Sequence, residues 1–339
     1  MRALILGCAG PELTRAEREL FVETEPFGFI LFQRNCESPE QIRMLTEELR
    51  DCVEHHAPVL IDQEGGRVQR LKPPTWRKAP PAALFGELYR KDPVRAEQAA
   101  RVNARLIAAE LTACGVDVDC LPLLDVRQDG AHDVIGDRAF AYDPQIVARL
   151  GRAQAEGLAA GGVAPVMKHI PGHGRAGVDS HHALPRVDAA RETLIEVDFA
   201  PFKALASLPM AMTAHVVYEA LDSENAATVS PKVVRDCIRG EIGFDGLLMT
   251  DDISMKALAE PLAVSSARAL EAGCDLVLHC NGDMDEMREI AGAVPALSDE
   301  ALRRAEMVLC FMERIRREAQ PADRDDLLAS FAELSGTTS

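Results

Sequence analysis

The chain has 339 residues and a mass of 36.8 kDa, which is long for an ordinary domain but within the range of one α/β barrel. Apolar residues make up 47% of it and charged residues 27%, a composition that excludes an intrinsically disordered chain. The net charge of −17 argues against nucleic acids and anionic membrane surfaces as partners, because both are negatively charged. A small carbohydrate or metabolite remains compatible with it.

The nine cysteines are scattered, with no CxxC pair, which indicates free thiols in a reducing compartment. The start, MRALILGC, weakly resembles a lipoprotein cleavage site. Only five apolar residues precede Cys8, however, fewer than the ~7–15 that a signal sequence needs. We therefore expect this segment to be the first core strand of a cytoplasmic protein. No apolar run is long enough to cross a bilayer.

Eight short apolar runs alternate with longer amphipathic segments. The runs are continuous, as is typical of strands that are buried on both faces. The predicted strands are Ala3–Leu6, Gly28–Phe32, Pro58–Ile61, Val116–Leu121, Pro165–Met167, Met210–Thr213, Gly246–Met249 and Asp275–Leu278. The predicted helices are Pro39–His55, Arg95–Cys114, Pro144–Ala160, Ala190–Leu208, Pro231–Gly240, Val264–Ala272 and Asp299–Glu318.

This alternation predicts an α/β fold, a single-domain (β/α)8 TIM barrel over residues 1–318. A polar, frayed C-terminal tail is expected over residues 319–339. A doubly wound open sheet is the alternative fold, but no glycine-rich phosphate loop follows the first strand.

In a TIM barrel, functional residues lie at the carboxyl ends of the strands. Polar side chains that directly follow buried strands cannot face the core without partners, so we expect them to surround one pocket. They are Asp62, Lys168, His169, His215 and Asp251.

Two of these positions have alternative interpretations. Asp251 leaves the seventh strand first and suits a catalytic role, whereas Asp252 suits the cap of a following helix. Asp62 could pair with Arg67 or Arg70, or its two oxygens could accept hydrogen bonds from a sugar hydroxyl.

The segment from Lys168 to Arg186 contains four histidines and three glycines. The histidines suggest a metal first, but the segment is too rich in glycine to form a zinc-binding helix, and the glycines would leave the geometry of the ligands loose. Asp179-Ser180-His181 offers another use, because a carboxylate near an imidazole can orient it and favour its protonated form. The segment could then carry a proton donor on a movable loop. A hydrogen bond that only stabilises the loop is the alternative.

Several motifs in the sequence resemble the signatures of a known enzyme family. KHIPGHG at 168–174, followed by DSH at 179–181, resembles the signature of bacterial β-N-acetylhexosaminidases of glycoside hydrolase family 3. IDQEGGRVQR at 61–70, VIGDRAF at 134–140 and MTDDISM at 249–255 resemble further signatures of that family. The resemblance extends from the first strand to the eighth, and is to the compact single-barrel type that recycles cell-wall fragments in Gram-negative bacteria.

The resemblance implies a role for each matching residue. Asp251 matches the catalytic nucleophile, His181 the general acid/base and Asp179 its orienting partner. The residues that match those holding N-acetylglucosamine are Asp62, Arg70, Arg138, Lys168 and His169, and we expect His215 to join them in the pocket. Gln63, Ile170 and Thr250 depart from the usual family residues, Thr250 replacing a common Ser, but none removes a catalytic group.

The implied reaction is retaining hydrolysis through a covalent glycosyl-Asp251 intermediate, with His181, whose ordinary pKa is ~6.5, as acid and then base. It requires no metal and no organic cofactor. The expected substrates are small carbohydrates, namely N-acetylglucosaminyl-anhydro-muropeptides, and the expected state is a monomer. The exact aglycone, and phosphate in place of water as acceptor, stay open.

Three other functions compete with this one. A metal-dependent amidohydrolase on the same barrel would use Lys168 or His169 with His215, but no His-x-His motif follows the first strand. A catalytically silent sugar-binding barrel would have lost Asp251 or His181, and both are present. A substrate-assisted hexosaminidase would use paired acids beside the acetamido group, which Asp251-Asp252 could mimic.

Overall fold

Eight parallel strands close into a barrel, and each strand pairs with its neighbours in the sequence. The structure, a computed structural model, describes residues 1–130, 133–177, 184–320 and 323–336. The strands are β1 Arg2–Gly7, β2 Pro26–Leu31, β3 Val59–Ile61, β4 Val118–Asp119, β5 Ala164–Ile170, β6 Met210–Thr213, β7 Leu247–Asp252 and β8 Leu276–His279. The predicted TIM barrel is confirmed, and all eight predicted runs fall on its strands.

The barrel is closed by pairing of β1 with β8, in the register Leu4↔Val277 and Leu6↔His279. Almost every residue of the strands is buried, because one face lines the barrel interior and the other packs against helices. The apolar runs are continuous for this reason. The carboxyl ends of all eight strands therefore meet at one face of the molecule.

Nine α-helices of seven or more residues are assigned in the part of the chain that the structure describes. They are α1 Arg15–Thr24, α2 Pro39–Asp51, α3 Ala83–Tyr89, α4 Pro93–Ala113, α5 Pro144–Ala160, α6 Leu262–Ala272, α7 Met284–Ala293, α8 Asp299–Glu318 and α9 Arg324–Ser335. Three of them begin with a capping side chain followed by proline, at Ser38-Pro39, Asp92-Pro93 and Asp143-Pro144. The side chain accepts a backbone N–H that has no partner within the helix, and proline at the next position needs no hydrogen-bond acceptor there.

The helix predicted over Ala190–Leu208 is wrong as a continuous element. It consists of a turn at Arg191–Thr193, a wide π-type turn at Leu194–Asp198 and a last turn at Ala200–Ala204. Pro201 has no N–H to donate to the preceding turn, which interrupts the regular pattern. The segment predicted over Pro231–Gly240 is likewise a π-type helix, Val233–Glu241.

The C-terminal segment differs from the frayed tail expected from the sequence. The helix α9 packs against α4, and it buries Leu327 and Phe331. Arg95 of α4 donates through Nε to the Leu334 carbonyl at 2.6 Å. The polar composition concealed two apolar residues four positions apart, which lie on one face of a helix.

Two further short strands lie at the carboxyl face of the barrel. Gln63–Gly65 and Val68–Gln69 pair antiparallel directly after β3. No helix in residues 1–130, 133–177, 184–320 and 323–336 is long and apolar enough to span a membrane.

Candidate active site

A cavity of about 230 Å³ opens at the carboxyl ends of the strands. It is smaller than the ~300–1,000 Å³ of sites for drug-sized ligands, so it suits a ligand no larger than a single sugar unit. Most of its polar wall comes from the ends of β3, β5 and β7. The polar and ionisable residues that line it are Asp62, Glu64, Arg70, Arg138, Lys168, His169, His173, Asp251, Asp252 and Cys280.

Five charged side chains form a continuous chain of ion pairs in the cavity wall. Arg70 Nη2 lies 3.0 Å from Asp62 Oδ2, and Lys168 Nζ lies 2.7 Å from Asp62 Oδ1. The same Nζ lies 2.7 Å from Glu64 Oε1, and Arg138 binds both oxygens of Glu64 at 2.8 and 2.9 Å. Three cations alternate with two anions, so these five side chains together carry one net positive charge.

Burial and ion pairing shift the pKa values of these groups in opposite directions. Burial would raise the pKa of Asp62, but Lys168 and Arg70 together hold it well below its usual range. Burial would also raise the pKa of Glu64, but Arg138 and Lys168 lower it to about 2. Burial would lower the pKa of Lys168, but Asp62 and Glu64 raise it. All three groups are therefore charged at neutral pH, and they present fixed donors and acceptors to a polar ligand.

Gln63 fixes the short hairpin that carries Arg70. Its side chain is fully buried, and its Oε1 accepts from the backbone N–H groups of Arg70 and Leu71 at 2.9 and 3.0 Å. Gln63 therefore helps to place Arg70 beside Asp62. The alternative partner for Asp62, Arg67, instead pairs with Asp133 and Asp137.

The two acids at the end of β7 have different surroundings. Asp252 accepts from the backbone N–H and the hydroxyl of Ser254 at 3.1 and 2.9 Å, and from the Cys280 N–H at 3.3 Å. It stabilises a turn rather than the start of a helix, which corrects the expected helix cap. Asp251 accepts from the Asp252 N–H at 2.8 Å.

The pKa of Asp251 lies below its ordinary value. Burial acts to raise it, but electrostatic interaction with His169 and His215, the hydrogen bond from Asp252 and the charge of Lys168 lower it further than burial raises it. An ionised carboxylate that faces a cavity can act as a nucleophile.

His215 does not line the cavity, contrary to the expectation from its place after β6. It is fully buried behind Asp251. Its Nδ1 lies 2.7 Å from Thr228 Oγ1, and its Nε2 donates to the Asp252 carbonyl at 3.0 Å. Because both ring nitrogens are used within the protein, His215 supports the end of β7 and is not placed to hold a ligand.

Sequence reasoning missed three residues of this site. Glu64 follows Asp62 by two positions and lies in the same motif, which is a signal that could have revealed it. Asp125 is buried and binds His169, and His173 lines the cavity. Asp125 has no local sequence signal, since its contact with His169 joins different strands. His173 lies in the KHIPGHG motif, which is a signal that could have revealed it.

The other predicted residues divide into two groups. The structure brings together Asp62, Arg70, Arg138, Lys168, His169 and Asp251 around one cavity. Asp179 and His181 lie outside the described residues. Within the described ranges, no group of three or more His, Cys, Asp or Glu side chains is placed to hold a metal ion.

Comparison with known proteins agrees with this geometry. Residues 6–309 match the glycosyl hydrolase family 3 N-terminal domain. A β-hexosaminidase of Alkalilimnicola ehrlichii is 43% identical over 282 residues, which cover 82% of this chain and 80% of that protein. A β-hexosaminidase of Bordetella avium is 37% identical over 318 residues, covering 93% and 87% of the two chains.

Among solved structures, NagZ from Neisseria gonorrhoeae in complex with N-trifluoroacetyl-D-glucosamine superposes with a TM-score of 0.87. It is 32% identical, and the match covers 98% of each chain. The match spans the whole barrel, including every strand end that contributes to the cavity. The chain therefore belongs to glycosyl hydrolase family 3 and is a glycosidase.

Proposed function

We propose that this glycosidase is a retaining β-N-acetylhexosaminidase that removes terminal, non-reducing β-linked N-acetylglucosamine. The observation that carries the proposal is that one cavity is lined both by an ionised Asp251 and by fixed hydrogen-bond donors and acceptors. The relatives named β-hexosaminidase support the choice of sugar. Family membership also favours a glycosidase over the metal-dependent amidohydrolase.

In the proposed mechanism, Asp251 attacks the anomeric carbon while the bond to the leaving group breaks. His181, oriented by Asp179, gives its proton to the departing glycosidic oxygen. A covalent glycosyl-Asp251 ester remains. Neutral His181 then takes a proton from water, whose oxygen attacks the anomeric carbon and releases Asp251. The roles of Asp62, Arg70, Arg138, Lys168 and His169 are to hold the sugar.

The first test compares a chromogenic β-N-acetylglucosaminide with the matching β-glucoside. We expect rapid turnover of the former and little of the latter. D251N should lose at least 10³-fold in kcat, in line with removal of a covalent nucleophile. D252N is the matched control, because its carboxylate binds Ser254 and Cys280 instead of facing a reacting atom.

A fluorinated N-acetylglucosaminyl donor should add one glycosyl mass to the wild type and to D252N, and none to D251N. Loss of turnover in D252N together with normal turnover in D251N would reverse the assignment of the nucleophile. Turnover of the β-glucoside alone would disprove the proposed sugar specificity.

The role of His181 has a separate kinetic test. H181A should slow substrates with poor leaving groups far more than aryl glycosides, whose leaving groups depart without a proton. D179A should show the same pattern, because Asp179 acts through His181. Equal losses for both substrate classes would mean that His181 positions the sugar instead of transferring the proton.

The natural substrate is proposed to be an N-acetylglucosaminyl-anhydro-muropeptide, cleaved by a monomer in the cytoplasm during peptidoglycan recycling. The purified enzyme should release N-acetylglucosamine and an anhydro-muropeptide from such fragments, as detected by mass spectrometry. Failure to cleave them, with aryl β-N-acetylglucosaminides still hydrolysed, would point to a different aglycone.

A further inference from the structure

We propose that Asp125 is a positioning residue that keeps the proton of His169 on Nδ1 and so fixes how the opposite nitrogen, Nε2, meets the sugar. Asp125 lies beyond the end of β4 and is completely buried, so it does not touch the ligand itself. The kinetic part of the inference rests on the proposed function, and its spectroscopic part does not.

The Asp125 carboxylate makes three hydrogen bonds, all as acceptor. Its Oδ2 lies 2.7 Å from His169 Nδ1. Its Oδ1 accepts from the backbone N–H of His173 at 2.6 Å and from that of His169 at 3.3 Å. One side chain thus holds both the ring of His169 and the backbone of the segment that follows β5.

The chemistry of the acceptor decides the tautomer of His169. Burial acts to raise the pKa of Asp125, but the charge and hydrogen bond of His169 and the backbone of His173 lower it, so the group is an anion. A carboxylate has no proton to donate, so Nδ1 of His169 must supply the proton of their shared bond.

The opposite side of the His169 ring is available to a ligand. The ring lines the cavity, and Nε2 has no hydrogen-bond partner among the described residues. With Nδ1 protonated, Nε2 accepts a hydrogen bond when the ring is neutral and donates one when the ring is charged. A ring turned over would place a carbon against Asp125 and lose the 2.7 Å bond, so the ring orientation is fixed as well.

The same carboxylate anchors the start of the segment that leads toward Asp179 and His181. Tyr218 adds a second anchor, since its hydroxyl donates to the Gly172 carbonyl at 2.6 Å. The side-chain and backbone bonds of Asp125 therefore join the sugar-binding end of β5 to the root of the proposed acid/base segment.

The variant D125N separates these two functions of Asp125. The carbonyl oxygen of the new amide can still accept from both backbone N–H groups, which need an acceptor. Its NH2 group then faces Nδ1 of His169, which must become an acceptor. We expect the ring proton to move to Nε2, and kcat/KM for an aryl β-N-acetylglucosaminide to fall about 10- to 100-fold, as expected when a buried donor or acceptor at the ligand is mismatched.

The direct readout is ¹⁵N NMR of histidine-labelled protein, with the His169 signals identified by their loss in H169A. In the wild type, Nδ1 of His169 should be protonated, and in D125N it should be unprotonated. An unprotonated Nδ1 in the wild type, or no change of tautomer in D125N, would overturn the proposal whatever the enzyme hydrolyses.

Two controls test whether the kinetic loss comes from His169. D117N removes another buried carboxylate, which precedes β4 and binds Arg50, His56 and the Val59 N–H, and should leave kcat/KM within about twofold. In the H169A background, D125N should cost little further activity. An equal loss in D117N, or an undiminished loss of activity from D125N in H169A, would assign the effect to general destabilisation and contradict the proposal.

Discussion

Lys168 shows how strongly the site depends on single charges. It is 2% exposed and lies 2.7 Å from a carboxylate oxygen on either side. Each buried charge in the chain from Arg70 to Arg138 is compensated only by its neighbours. Removing Lys168 therefore leaves Asp62 and Glu64 with one cation each, Arg70 and Arg138, at buried positions that water solvates poorly.

We predict that K168M lowers the free energy of unfolding by about 3–5 kcal/mol, because Asp62 and Glu64 lose their shared cation. Urea denaturation monitored by circular dichroism measures the change. The control is K203M, which removes an exposed lysine paired with Glu241 at 3.0 Å and should cost less than about 1 kcal/mol. Similar losses in the two variants would contradict the interpretation.

Asp119 makes the stability of the protein depend on pH. Burial raises its pKa to about 8. Its Oδ1 accepts from the Gln63 N–H at 3.0 Å, and its Oδ2 is buried with no hydrogen-bond partner in the described part of the chain. In the unfolded chain, the same carboxyl titrates near its ordinary value of ~3.9. Between these pH values the folded state binds the extra proton, so the free energy of unfolding contributed by Asp119 falls as the pH rises.

We therefore predict that D119N, which keeps the acceptor for Gln63 and cannot ionise, gains stability relative to the wild type as the pH rises from 4 to 8. The relative gain at pH 8 should exceed about 1 kcal/mol, since one unit of pKa shift corresponds to 1.36 kcal/mol. Urea denaturation at several pH values measures it. A difference in stability that stays constant across this range would disprove the prediction.

The sequence predicted the residues of the site better than their partners. The pairing of Asp62 with Arg70 was one of its alternatives, since eight positions separate them in one motif. Glu64 and Asp125 were not singled out, because their partners Arg138 and His169 come from other parts of the chain. Spacing in a sequence does not encode such contacts, and the same reason explains why His215 was placed in the cavity instead of behind it.

At the scale of elements, the segment after β5 approaches its neighbour unusually closely. A Cβ at Gly174 would overlap the backbone carbonyl of Val126, whereas a Cβ at Gly177 would meet no atom of the described residues within 4 Å. Gly174 therefore allows the root of the segment to lie against the residue after Asp125. Gly177 carries no such requirement.

We predict that G174A reduces kcat at least tenfold, because displacing this backbone disturbs the bond between Asp125 and the His173 N–H. The matched control G177A should remain within about twofold of the wild type. Steady-state kinetics with an aryl glycoside measures both. Equal effects of the two substitutions would mean that flexibility of the segment, not close packing, is what the glycines provide.

The helix α9 is the element whose contribution the composition hides most. Phe331 packs against Phe85, with ring centroids 6.3 Å apart, and lies under Arg77. We predict that F331A lowers the free energy of unfolding by about 3 kcal/mol, the lower end of the range for a buried Phe. M307A, at a residue that is 58% exposed, is the control and should change it by less than about 0.5 kcal/mol. A loss below 1 kcal/mol in F331A would mean that α9 is dispensable for stability.

Strands and helices were predicted correctly where the pattern of apolar residues is strong. All eight barrel strands were predicted, because burial on both faces leaves a continuous apolar run. The short helices α1, α3 and α7 were not predicted, since only part of each faces the core and the charged remainder resembles a loop. The break in the helix predicted over Ala190–Leu208 depends on Pro201, which lies within an otherwise helical pattern.

At the scale of the whole molecule, barrel closure converts distant sequence positions into neighbours. Asp62 and Asp251 are separated by most of the barrel in sequence, yet they line one cavity because all strands are parallel. The predicted fold alone indicated that residues at the carboxyl ends of the strands would line one cavity. It could not predict the ion pairing inside the cavity, which depends on side-chain directions.

The proposed chemistry uses only side chains of the chain itself. We predict that treatment with EDTA leaves kcat and KM unchanged, and that added zinc does not increase activity. Activity that is abolished by the chelator and restored by zinc would contradict the cofactor-free mechanism and return the amidohydrolase to consideration.

The strand that carries Asp251 is held to β8 partly by a side chain. The register of β7 against β8 shifts between Met249 and Asp252, and within this irregularity Thr250 Oγ1 accepts from the Leu278 N–H at 2.9 Å. Serine would carry the same hydroxyl, so an exchange of Thr250 for serine would preserve the bond. The Leu278 amide can therefore be released by rotation of one side chain, without separating the strands. We expect hydrogen exchange at this amide to report local opening beside the proposed nucleophile, independently of opening of the whole barrel.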